Sequence, residues 1–101
     1  MGSWRALAKK VDETTRVRCR SGMGIIREEV WMGQDGRIEK YNLAFINHRL
    51  CHKDNGRVLG YDNAHGEHER HFKGAVGRYE FTSYEALVEL FIEEVRALRE
   101  V

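Results

Sequence analysis

Apolar and polar side chains alternate over residues 15–20, with Val17 and Cys19 on one side and Arg16, Arg18 and Arg20 on the other. A period of two predicts a strand with one face buried. Ser21-Gly22-Met23-Gly24 interrupts the pattern as a turn. Ile26, Glu28, Val30 and Met32 then alternate with Arg27, Glu29 and Trp31, which predicts a second strand. Gly33-Gln34-Asp35-Gly36 holds the Asp-Gly pair of a tight hairpin. The strand expected after it, residues 38–46, places Tyr41, Leu43 and Phe45 on one face. Residues 47–56 read as an excursion closed by the turn Asp54-Asn55-Gly56, residues 58–61 as a short strand, and residues 78–81 as the last one. Ahead of all these, residues 4–11 are expected to be a short helix or a disordered lead-in.

The pattern changes at the C-terminal end. Tyr84, Leu87, Val88, Phe91, Val95 and Leu98 make one apolar stripe at helical spacing. Thr82 and Glu85 have the spacing of a capping box, and Arg96 and Arg99 sit late, where the helix dipole favours cations. The expected architecture is α+β, a small antiparallel β-sheet with a C-terminal amphipathic helix packed on one face. The chain is read as a single domain over residues 1–101. Residues 1–14 are expected as the lead-in, helical or disordered, 15–81 as the antiparallel sheet with a histidine loop at 60–72, and 82–100 as the helix. Trp31 and Phe45 are expected in the core, His48 and His52 on the loop surface, and Trp4 outside the domain pattern as an interface anchor.

Composition narrows the function classes. At 101 residues, with 42% hydrophobic and 33% charged, the chain suits one globular domain. No apolar run approaches the ~18 residues of a membrane span, and no signal-peptide pattern opens the sequence, so a cytoplasmic protein without membrane contact is expected. Cys19 and Cys51 have no metal-ligand spacing and read as reduced thiols. Net charge is +1, which removes a global field for nucleic acid. Arg5, Lys9, Lys10, Arg16, Arg18, Arg20 and Arg27 nevertheless face only Asp12 and Glu13 in the first 27 residues. Arg16, Arg18 and Arg20 form a basic strip able to contact phosphates.

The densest chemistry lies in residues 60–72, which hold His65, His68 and His71, three of the five histidines, beside Tyr61, Asp62 and Arg70. Imidazole gains and loses protons near neutral pH. Three further motifs lie around this run. They are Tyr41-Asn42-Leu43-Ala44-Phe45, Leu59-Gly60-Tyr61-Asp62-Asn63, and Tyr79-Glu80-Phe81-Thr82-Ser83 before Glu85-Ala86-Leu87. In this order, with Val30-Trp31 ahead and Gly66 and His68-Glu69-Arg70-His71 between, they resemble the TumE-type toxin family of bacterial toxin–antitoxin modules over roughly residues 25–98. The specific part is the Tyr-Asp-Asn motif followed by His-x-Arg-His. Two departures stand out: a tight turn replaces a proline-rich insert before the Tyr41 strand, and the 47–56 connection is longer and adds His48 and His52.

The resemblance implies a growth-inhibiting protein neutralised by a helix-turn-helix antitoxin, with ribonuclease activity. A metal-independent ribonuclease needs a base for the 2′-hydroxyl, an acid for the leaving oxygen and a cation for the phosphorane. His68 and His71 are the candidate acid and base, Arg70 the phosphate clamp, Asp62 the group orienting an imidazole, and Tyr61 a donor to phosphate or base. His65 joins Arg16, Arg18 and Arg20 as a substrate contact, and no cofactor or metal is expected in this reading. Asn63 is expected to shape the turn. If residues 68–72 are extended, however, His68 and Arg70 share one face and His71 takes the other. Two alternatives stay open: a metal site of His65, His68 and His71 with Asp62, and a non-enzymatic binding module for an anionic or protein partner. Exposed sheet edges also point to a homodimer.

Overall fold

The computed structural model describes residues 7–101. They form six strands and one helix: β1 (Ala8–Cys19), β2 (Gly22–Met32), β3 (Ile38–Ile46), β4 (Arg57–Asp62), β5 (Glu69–Phe72), β6 (Ala75–Arg78) and α1 (Tyr84–Leu98). The strands make one sheet in the order of the sequence, every neighbour antiparallel. Each connection is therefore a hairpin, and α1 lies across one face. This is the α+β arrangement expected from the periodicity.

The alternation of side chains decides what α1 covers. Tyr41, Leu43 and Phe45 of β3 and Leu59 and Tyr61 of β4 point to the helix, where Leu87, Phe91 and Val95 meet them; all are almost wholly buried. Removing these side chains from water supplies the main folding drive, about 1.5–3 kcal/mol for each large apolar group. Among the described residues no second layer covers the opposite face. Three cross-strand rows run over it. The first is Asp12–Glu29–Asn42–Asp62–Glu69–Arg78, the second is Thr14–Arg27–Ala44–Gly60–His71–Val76, and the third is Arg16–Ile25–Ile46–Arg57.

Several elements differ from expectation. The first strand begins at Ala8, where a lead-in was expected up to residue 14; its register shifts between Lys9 and Val11, and nearly all its side chains are exposed, so alternation is weak there. Trp4 lies outside the described residues. Gly22 and Gly24 belong to β2, and the turn is confined to Arg20 and Ser21. Strand β5 takes residues 69–72 of the histidine run, and the last strand, β6, ends at Arg78, where one was expected to begin; its four residues are all exposed, so no buried face marks it. Ser83 caps α1 in place of Thr82, its hydroxyl accepting from the Ala86 N–H. Trp31 is only half-buried, on the face opposite α1. The ammonium groups of Lys9 and Lys40 lie 5.1 and 4.7 Å from its ring.

Candidate functional site

The strand parity of the histidine run divides its residues between two faces. On the helix side, Arg70 opposes Tyr61 across β4 and β5. Its Nε donates to the Tyr61 hydroxyl at 2.9 Å and its Nη2 reaches Glu94 Oε2 of α1 at 2.7 Å, while the Tyr61 hydroxyl donates to Glu94 Oε1 at 2.6 Å. The ring of three is closed. Burial, reinforced by the carboxylate of Glu94, pushes the Tyr61 hydroxyl up to about 12, so it stays a donor at neutral pH.

His68 is on the same side. Its ring stacks on Phe81 at 4.2 Å and 8°, and its Nδ1 is 2.7 Å from the Tyr41 hydroxyl. Burial, and then the Asp62 charge, hold Tyr41 protonated far above neutral pH, so its phenol keeps a proton to share with the imidazole. These contacts join sheet, helix and the 79–83 segment. They leave His68, Tyr61 and Arg70 facing away from His71.

His71 and Asp62 sit on the uncovered face, each 8% exposed. His71 Nε2 lies 3.1 Å from Asp62 Oδ2 and 3.7 Å from Glu69 Oε1. The first distance is within hydrogen-bond range, but the pair does not make a hydrogen bond, and among the described residues this buried nitrogen has no hydrogen-bond partner. Arg57 reaches in from the side, its Nη1 3.3 Å from Asp62 Oδ2 and its Nε 2.7 Å from Asp54 Oδ2. Asp62 Oδ1 accepts from the Ala64 N–H at 3.2 Å. His65 is exposed, with Nδ1 3.6 Å from the Glu69 oxygen that faces His71. Asn63 shapes the turn through β3 instead of its own backbone: it accepts from the Tyr41 N–H and donates to the Glu39 carbonyl.

The expected basic strip divides as well. Arg16 and Arg18 are exposed in β1, and among the described residues neither takes part in a salt bridge. Arg16 shares a row with Arg57, three strands and so about 14 Å away. Arg20 lies in the turn, where its backbone N–H donates to the Arg99 carbonyl at the end of α1. Arg27 is occupied by Asp12, Thr14 and Glu29.

Of the residues picked out in the sequence, Asp62 and His71 come together with His65 at their edge. Tyr61, His68 and Arg70 gather on the other face. Glu69 and Arg57 were not picked out. Parity offered a signal for Glu69, which is two residues from His71 and directly opposite Asp62 in the hairpin. Arg57 precedes the run and is found only through the fold.

A family model described as Toxin TumE matches residues 6–99, reaching further toward the N-terminus than the motifs quoted above. No curated protein and no solved structure matches the chain. That span takes in all six strands and α1, and with them both faces of the histidine hairpin, so the chain belongs to the toxin TumE family.

Proposed function

We propose that this chain is the toxin of a toxin–antitoxin module and that it acts as an endoribonuclease, with the RNA lying on the uncovered sheet face. One observation carries this reading. Asp62, Glu69 and His71 converge on that face, and the same face bears Arg16, Arg18 and the Trp31 ring between Lys9 and Lys40. Cleaving a phosphodiester requires proton transfer and positive charge near the phosphorane. Two carboxylates and an imidazole provide groups for the first, and Arg57 at their rim contributes to the second. Cations spread over an open sheet suit a flexible polyanion, and a half-exposed indole suits a stacked base.

A mechanism using the two imidazoles of His68 and His71 together does not fit residues on opposite faces. In this proposal His68, Tyr61 and Arg70 hold α1 against the sheet, and the reacting groups are Asp62, Glu69 and His71. The antitoxin is proposed to be of the helix-turn-helix class and the setting cytoplasmic, both from the family. Among the described residues no helix is long and apolar enough to cross a membrane. A homodimer through the outer edge of β1 remains part of the proposal, since twelve residues of edge strand want covering.

The test is induced expression of the wild type beside an Asp62→Asn, His71→Gln double variant, with folded protein measured for both and cellular RNA ends mapped. Arrest and new RNA ends with the wild type alone are expected. Equal arrest by a folded double variant, or arrest without RNA cleavage, overturns the proposal.

A further inference from the structure

We propose that Asp62, Glu69 and His71 form a binding site for one divalent first-row cation such as Mn2+ or Zn2+. Their donor atoms, Asp62 Oδ2, Glu69 Oε1 and His71 Nε2, all lie within 4.8 Å of one another. Donors that share a cation at about 2.1 Å, with angles between the octahedral and tetrahedral values, stand roughly 3.0–3.5 Å apart. The separations from His71 Nε2, 3.1 Å to Asp62 and 3.7 Å to Glu69, are close to that spacing before any adjustment.

Two independent observations point to a cation instead of a hydrogen-bonded cluster. The first is the His71 nitrogen. It is buried, aimed between two carboxylates, and without a hydrogen-bond partner among the described residues. Buried polar atoms are seldom left so, because the lost hydration is not replaced. A metal ion satisfies a lone pair at that position and draws both carboxylates toward it.

The second is charge. Asp54, Asp62 and Glu69 are three carboxylates, and among the described residues Arg57 is the one guanidinium or ammonium that bonds to them, the other neighbours being the imidazoles of His65 and His71. Arg78 opposes Glu69 in register but gives its guanidinium to Glu67, at 3.0 Å. Two negative charges are left, the charge of one divalent ion.

The donor set fixes the class. Two carboxylate oxygens and one imidazole suit Mn2+ or Zn2+, whereas Mg2+ favours oxygen throughout. His65, exposed and 3.6 Å from Glu69 Oε1, is placed to swing in as a fourth ligand. The Ala64 N–H on Asp62 Oδ1 holds that carboxylate turned toward the site. The set differs from the histidine triple weighed in the sequence: Glu69 stands where His68 was expected, because His68 points to the other face. Binding of the ion stands on this geometry alone. Its use rests on the proposed ribonuclease: with the ion bound these three side chains would serve as ligands, and the ion would supply the positive charge at a scissile phosphate and an acidified water for proton transfer in their place.

The experiment is calorimetric titration of the untagged chain, freed of metal with chelator, using MnCl2 and ZnCl2 separately. One equivalent per chain is expected for at least one of them. Glu69→Gln, at a half-buried position that leaves the core untouched, is expected to weaken binding at least tenfold, and His65→Ala by a smaller factor. The melting temperature is expected to rise with the ion in the wild type and not in Glu69→Gln. No binding by folded wild type, or binding unchanged in Glu69→Gln, overturns the site. RNA cleaved in chelator by protein that binds neither ion removes the cation and leaves the ribonuclease. Stoichiometric binding without RNA cleavage does the reverse.

Discussion

Arg57 lies flat across Gly60, its Cδ 2.6 Å and its Nε 3.1 Å from where a β-carbon on that glycine would stand. The bare backbone is what lets the guanidinium reach Asp62 on one side and Asp54 on the other. Gly60→Ala is therefore expected to lift Arg57 off the strand while leaving the fold intact, since only a flexible side chain must move. The expected outcome is a melting temperature within a few degrees of wild type and RNA cleavage reduced at least tenfold. Unchanged cleavage would show that Arg57 takes no part in the site.

Tyr61 makes the opposite case. Its hydroxyl bonds Glu94 and Arg70 beneath α1, on the far side of the sheet from His71. Tyr61→Phe leaves the half-buried carboxylate of Glu94 short of one donor, and a stability loss of about 1 kcal/mol is expected in denaturant unfolding. Cleavage and growth arrest are expected to persist below the melting temperature. Their loss in a well-folded variant would move the reacting centre to the helix face.

Glu29 sets an acid limit on stability. The ammonium of Lys9 at 2.7 Å, helped by Asn42 and Arg27, holds its carboxyl down at about 2, against an ordinary value near 4.5. A carboxyl depressed in the folded state stabilises it above its unfolded value, and that contribution fades as pH falls toward the folded value. Screening at this partly open face limits the effect to about 1 kcal/mol. The melting temperature of Glu29→Gln is expected to trail the wild type at pH 7 and to converge with it between pH 4.5 and 2. A gap of equal size at pH 7 and pH 2.5 would refute the linkage.

Arg16 and Arg18 are the cations of β1 expected to meet phosphates. Replacing both by alanine should lower the slope of log affinity against log salt by about 1.4 for single-stranded RNA, near 0.7 for each contact. Arg20→Ala should leave that slope in place, because Arg20 lies in the turn beyond β1, beside the end of α1. Equal slopes for wild type and the Arg16, Arg18 double variant would take the RNA off this strand.

The legible elements are those whose periodicity is undisturbed. Strand β3 runs over the residues its alternation predicts, because Tyr41, Leu43 and Phe45 must all reach one buried face. The helix is equally plain from Leu87, Phe91 and Val95. The first half of β1, up to residue 14, is hidden because it forms an edge, is solvated on most positions and loses register at a bulge, whereas residues 15–19 show the alternation that predicts a strand. Trp31 shows the limit of hydrophobicity as a guide: its parity with Arg27 and Glu29 already sets it on the polar face, where two lysines cover it. At the site, the opposition of His68 and His71 follows from parity alone. The meeting of Asp62 with Glu69 requires the hairpin register, and Arg57 requires the reach of its side chain over a glycine.

A sheet whose strands pair in chain order can assemble as the polypeptide leaves the ribosome, each hairpin closing on the one before. The helix follows the sheet in the chain and is the lid on its apolar face. Until α1 emerges, Tyr41, Leu43, Phe45, Leu59 and Tyr61 have nothing to pack against, although Asp62, Glu69 and His71 are already aligned across their hairpin. For a member of a toxin family this ordering has a use: a chain still lacking α1 carries the proposed reacting groups before it has the stability to deploy them, so the docking of one helix becomes the moment of arming.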